Sequence, residues 1–218
     1  ETGLITSLTD RIIRQACARL KAWQDSDDPQ FAPLTMHVNV AAKDVADPAF
    51  VQRVTRALPT TGVHAGHLVI ELTENILMAQ LSAAMATLTA LRELGVGLSV
   101  DDFGTGYSSL SHLSVLPIDS LKIDMSFVRN LRANSKEEAV IRAIVLLGSS
   151  LGKEVIAEGI ETAEQMSLLR DLGCAVGQGY HLSRPLPATG IDKLLLGRRA
   201  EPAMHTALSR LLQPTVVH

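Results

Sequence analysis

Short apolar runs at 34–40, 67–72, 97–100, 118–123, 153–157 and 175–180 alternate with segments of helical periodicity along this 218-residue chain. A strand that must be followed by a helix before the next strand cannot join a hairpin, so six such alternations predict a parallel sheet covered by helices. The helical segments carry their own start and stop signals. Residues 7–24 place Leu8, Ile12, Ala16, Leu20 and Trp23 on one face, and Asp47-Pro48 opens a helix to about Leu58. A helix from about Leu81 to Leu94 meets Gly95, and Ser135 to Glu138 and Thr162 to Gln165 are capping boxes for helices ending near Gly152 and Gly173. A short helix is expected at 191–196. We read residues 1–197 as one domain and 198–218, with Arg198-Arg199, as a tail or appended helix.

Polar residues are not scattered over this frame. Asn39, Glu71, Asp101, Lys122, Glu158 and Gln178 each fall at or close to the C-terminal end of a separate strand segment, where a (β/α) barrel gathers its active site. One such residue is ordinarily a helix cap or a solvated end; six of these types exceed what capping explains. Asp101 and Asp102 are adjacent and run into a loop with Gly104 and Gly106. Taken alone the pair is also compatible with a strand end entering a polar turn. Neighbouring carboxylates cannot cheaply share a site as bare charges, so a functional pair either holds a proton or faces a multivalent cation.

The donors are oxygens, the choice of magnesium or manganese rather than zinc. The histidines do not supply a zinc site: His64 and His67 lie three apart in a polar connection, and His37, alternating with Val38, is read as facing the helices or solvent. Two cations about 4 Å apart, bridged by one carboxylate, suit in-line displacement at phosphorus. Asp101 is the natural bridge. Lys122 has two readings, a group that orients or deprotonates the attacking water and a salt bridge to one of the acids.

Composition narrows the ligand. A net charge of −3 and 3% aromatic residues provide neither a bulk positive field nor a stacking surface, which excludes a nucleic-acid polymer. A smaller phosphate ligand must be met by local groups. Cys17 and Cys174 lack CxxC spacing and read as two buried thiols of a reducing compartment. No apolar run reaches the roughly 18–20 residues of a membrane span and no signal-peptide pattern opens the chain, so a cytoplasmic domain is expected, in a parent protein that is free to be membrane-anchored.

The segments Val38-Asn39-Val40, Glu71-Leu72-Thr73-Glu74, Asp101-Asp102-Phe103-Gly104-Thr105-Gly106-Tyr107-Ser108-Ser109-Leu110, Leu121-Lys122-Ile123-Asp124, Ala157-Glu158-Gly159-Ile160-Glu161 and Gly177-Gln178-Gly179-Tyr180, with Ser183-Arg184-Pro185, closely resemble the EAL-domain cyclic di-GMP phosphodiesterases. The resemblance runs in order and at family spacing to about Gly197. It implies a TIM-like (β/α) barrel, hydrolysis of cyclic di-GMP to linear pGpG, and two magnesium or manganese ions. Carried over by position, Asn39, Glu71 and Asp101 resemble ligands of the first ion, and Asp101, Asp102 and Glu158 those of the second. Lys122 matches the lysine on the nucleophilic water and Gln178 lies near the site. Glu74 matches the glutamate that shapes the glycine loop and bears on dimer contacts, Glu161 braces the end of its strand, and Arg184 and Pro185 stand where the family contacts its ligand.

One departure is plain. The Glu-Ala-Leu that names the family, whose glutamate ligates the first ion, lies upstream of the segment at which this chain begins. Six strands also fall short of the eight that close a barrel. A fragment of the domain is therefore expected, binding the first ion poorly, with exposed sheet edges covered by a partner chain, as in a homodimer, or by a swapped segment. A sensor or GGDEF module upstream belongs to the same expectation. The alternative in another class is a cyclic di-GMP receptor that binds without cleaving; such receptors lose metal carboxylates that this chain retains. A third reading, a barrel of unrelated chemistry, requires the motif matches to be accidental.

Overall fold

The computed structural model of the chain describes residues 2–26, 31–79, 81–106 and 110–197. Among these, β1 (Met36–Asn39), β2 (Leu68–Thr73), β3 (Gly97–Phe103), β4 (Ser120–Ile123), β5 (Glu154–Ala157) and β6 (Val176–Gly177) form one parallel sheet in sequential order. The architecture is a TIM-like (β/α) half-barrel, with β1 and β6 at its edges among the described residues. The expected tail, 198–218, lies outside the described residues, as do Tyr107, Ser108 and Ser109 of the glycine loop.

Side chains alternate across a strand, and the register sorts them. Val38, Leu68, Ile70, Leu98, Leu121 and Val155 point to the helical layer and are buried with Phe50, Leu88, Leu91 and Ile141 in one core. Each such side chain taken out of water contributes about 1.5–3 kcal/mol. Asn39 pairs with Glu71, Glu71 with Ser99, and Ser99 with Ser120, so the opposite face is polar. Within it the Ser120 hydroxyl donates to that of Ser99 at 2.8 Å, satisfying two polar groups that are otherwise sealed.

The principal helices are α1 (Thr2–Gln24), α3 (Ala49–Thr61), α5 (Leu81–Glu93), α8 (Lys136–Ser150), α9 (Ala163–Asp171) and α10 (Ala188–Gly197). α1 starts five residues before the expected Ser7, and α3 runs past Pro59 to Thr61 rather than stopping near Leu58. In that last turn the Thr60 and Thr61 hydroxyls donate to the Ala57 carbonyl at 2.8 and 3.0 Å. The Thr162 box is complete; at Ser135 the hydroxyl accepts from Glu138, whereas the Glu138 carboxylate reaches Asn134 instead.

Four short helices were not anticipated: α2 (Ala42–Ala46), α4 (Glu74–Ala79), α6 (Leu110–Val115) and α7 (Met125–Arg129). One or two turns present too few residues for a 3.6-residue period to register. α2 is held by contacts that no periodicity reveals: Thr9 donates to the fully buried Asp44 at 2.7 Å, and Arg53 pairs with Asp44, Asp10 and Asp47. This cluster ties α1, α2 and α3 together just beyond Asn39. At the other end of the chain, Trp23 Nε1–H donates to Asp192 at 2.7 Å, so α10 returns to α1. No helix among the described residues is long and apolar enough to cross a membrane.

Candidate functional site

Regular alternation would send Asp101 and Asp102 to opposite faces of β3. The strand does not end at Val100, as its apolar run suggests; it continues through Phe103, with the register to β4 shifting between Val100 and Phe103. Asp102 takes φ 54 there. A left-handed residue at a bulge breaks the alternation, and Asp is among the non-glycine residues that tolerate this conformation best. Both carboxylates are thereby aimed at one place. With Glu158, at the end of β5, each offers an oxygen, and these three atoms lie within 4.8 Å of one another. That oxygen-only set fits a hard divalent cation.

Lys122 occupies the centre. Its Nζ lies 2.6 Å from Glu158 Oε1, 2.9 Å from Glu71 Oε2 and 3.2 Å from Asp101 Oδ1, and the residue is only 4% exposed. The salt-bridge reading of the lysine therefore holds with three acids rather than one. Burial opposes its charge, but Glu158 and Glu71 outweigh burial and hold the ammonium well above its ordinary range. Burial also pushes the Glu71 carboxyl up, and donors from His37 and Lys122 reverse that, leaving it below the usual carboxylate range. Glu158 is raised by burial, with Asp101 adding to the effect, and Asp102 is raised by burial and by the Asp101 charge. Carboxylates crowded in this way against one ammonium attract further positive charge.

Asn39 lies beside Glu71 in the β1–β2 register, on the same face. Gln178 donates through Nε2 to Glu158 Oε1. It is set there by a close approach of backbones: a Cβ on Gly179 would collide with the Ile160 main chain, so that position admits only glycine. Arg184 and Pro185 line a cavity of about 640 Å³ together with Glu158, Gln178, Tyr180 and Glu161. The Arg184 guanidinium stands 4.9 Å above the Tyr180 ring. Glu161 also donates its backbone N–H to Gln165 at 2.7 Å, which fixes the chain between β5 and α9. The cavity adjoins the acidic cluster through Glu158 and has the size of a small-molecule site.

Glu74 stands apart from the cluster, buried at 1% exposure beneath the glycine loop. Its Oε2 accepts from the Gly104 N–H at 2.9 Å and the Gly106 N–H at 3.2 Å. Gly104 has φ 100, a backbone conformation the carboxylate selects and a side chain would resist. Replacing Glu74 with alanine strands both amides, and the expected loss is about 2 kcal/mol of unfolding free energy in urea.

The sequence reading assigns no part to Asp124, whose carboxyl bonds to that of Asp102, to Tyr180, or to the contact that His37 makes. Tyr180 belongs to the segment Gly177-Gln178-Gly179-Tyr180, and its ring carries the Arg184 guanidinium at the cavity wall. His37 agrees with the solvent half of its reading, its side chain being 36% exposed, yet it lies on the inner face with Asn39 and its Nδ1 stands 2.7 Å from Glu71 Oε1. The signal was available, since residues two apart in a strand share a face.

Comparison with known proteins agrees with this geometry. The EAL domain family matches residues 1–185. The cyclic di-GMP phosphodiesterase NbdA of Pseudomonas aeruginosa is 38% identical over 201 residues, 92% of this chain and 25% of that protein, so the chain spans about a quarter of that relative. The solved PaMucR phosphodiesterase, in complex with c-di-GMP, superposes with a TM-score of 0.82 at 39% identity, covering 87% of this chain and 76% of that one. The calcium and cyclic di-GMP complex of Klebsiella pneumoniae BlrP1 superposes at 0.70, with 29% identity over 81% of this chain and 44% of that one. A half-barrel whose strand ends carry the family's acidic motifs in order, matched over most of its length, belongs to the EAL domain family.

Proposed function

We propose that the chain is the catalytic portion of a cyclic di-GMP phosphodiesterase that hydrolyses its substrate to linear pGpG. Convergence of Asp101, Asp102 and Glu158 within 4.8 Å, beside the buried Lys122 ammonium, carries this reading. The names of NbdA and of the PaMucR complex support the substrate.

Two ions, magnesium or manganese, fit the donors, the first with Asn39, Glu71 and Asp101 and the second with Asp101, Asp102 and Glu158. When bound, such ions supply positive charge that acidifies water and offsets the charge growing on phosphoryl oxygens. The chain's own residues do the rest. Lys122, released from part of its carboxylate shell, holds the attacking water in line with phosphorus. Gln178 keeps Glu158 in place, and Arg184 with Pro185 borders the cavity that takes a guanine nucleotide half. Glu74 keeps the glycine loop in shape, and Glu161 fixes the segment after β5. In the parent protein we place this portion after a sensor or GGDEF module, paired as a homodimer across exposed edges. The buried free thiols Cys17 and Cys174 suit a cytoplasmic setting.

The test is pGpG release by the intact parent with magnesium, followed by chromatography. Turnover is expected. Tight binding of cyclic di-GMP with no pGpG contradicts catalysis and assigns the domain to the receptor class.

A further inference from the structure

We propose that His37 is a positioning residue that fixes the Glu71 carboxylate for a divalent cation by donating its Nδ1–H to Oε1. The inference rests on the metal-site reading above and concerns a residue outside the motif segments quoted from the sequence.

The two oxygens of Glu71 are held from opposite sides. Lys122 on β4 reaches Oε2 at 2.9 Å, and His37 on β1 reaches Oε1 at 2.7 Å. Glu71 is 4% exposed, so its carboxylate meets these two donors rather than bulk water, and the His37 ring, its side chain 36% exposed, stands between Glu71 Oε1 and solvent. A carboxylate tethered at one oxygen still turns about its terminal torsion, which is broad and roughly two-fold. A second donor removes that freedom. The acceptor is an ionised oxygen, which assigns the proton to Nδ1 of the imidazole. The Lys122 ammonium is shared among Glu71, Asp101 and Glu158, so its grip on Glu71 changes whenever positive charge enters that cluster. The His37 bond stands apart from that shared network. This inverts the common arrangement in which a carboxylate orients a ligating histidine; here the histidine orients the carboxylate, two residues before Asn39 on the same strand.

The experiment is calorimetric titration of the intact parent protein with manganese chloride, using the wild type, His37→Ala and His37→Asn, with the metal-free melting temperature of each as a control. The asparagine amide places an N–H close to where Nδ1–H stands. His37→Ala is expected to raise the manganese dissociation constant about tenfold, with His37→Asn returning it to within about threefold of wild type. Equal affinity in all three chains overturns the role of His37 alone. An asparagine variant as weak as the alanine one also overturns it, because ring packing rather than the donated proton would then matter. No manganese binding by the wild type overturns the metal-site reading and this inference with it.

Discussion

Asp101→Ala is expected to lower the proposed cyclic di-GMP hydrolysis of the intact domain by on the order of a thousandfold, the effect of removing a preorganised charge from a phosphoryl-transfer site. Asp101 is the residue proposed for both ions; it converges with Asp102 and Glu158 and lies 3.2 Å from Lys122. The substitution has a second consequence. Asp101 Oδ1 accepts from the Asp102 N–H at 3.0 Å, and that bond supports the left-handed turn that swings Asp102 into the site. Asp101→Asn separates the two contributions. The amide oxygen still accepts from the Asp102 N–H, while the charge is gone. A loss in the asparagine variant comparable to that of alanine assigns the effect to charge; near-normal pGpG release by either variant contradicts the bridging role.

Lys122→Met has the other large expected effect, and it reads out without substrate. The residue is 4% exposed and its ammonium compensates Glu71 and Glu158, both largely buried. Breaking a buried ion pair by deleting one partner leaves the other charges without compensation and costs about 3–5 kcal/mol. Denaturant unfolding of the metal-free variant measures this. Manganese binds the folded state preferentially, so added metal is expected to recover much of the loss. In turnover, the same variant lowers kcat more than it raises KM, because holding the attacking water matters in the transition state and not in binding. A raised KM with kcat intact assigns Lys122 to ligand binding instead.

The distribution of what the sequence disclosed has a physical cause. The six strands were legible because a strand in a helix-covered parallel sheet shows as a compact apolar run, and Leu68, Ile70, Leu98 and Leu121 fill those runs. The positions of Glu71, Lys122 and Glu158 were legible because a charged residue closing such a run has few places to go. The direction of Asp102 was not, since it depends on a bulge and a φ of 54 that no residue type announces. The cavity beside Glu158 also left no periodic trace; Leu186, Ile191 and Leu194 meet Gln178 and Arg184 there only through the fold. The bond from His37 to Glu71 is hidden because alternation with Val38 separates His37 from the core without saying which carboxylate lies beside it on the other face.

Anomalous diffraction from crystals of the chain grown with manganese and cyclic di-GMP tests the central claim most directly. The expected result is anomalous density among Asn39, Glu71, Asp101, Asp102 and Glu158, with a phosphate of the ligand beside it and Lys122 drawn away from at least one carboxylate. Manganese bound elsewhere, with Lys122 still among Glu71, Asp101 and Glu158 and the ligand remote from them, contradicts the account.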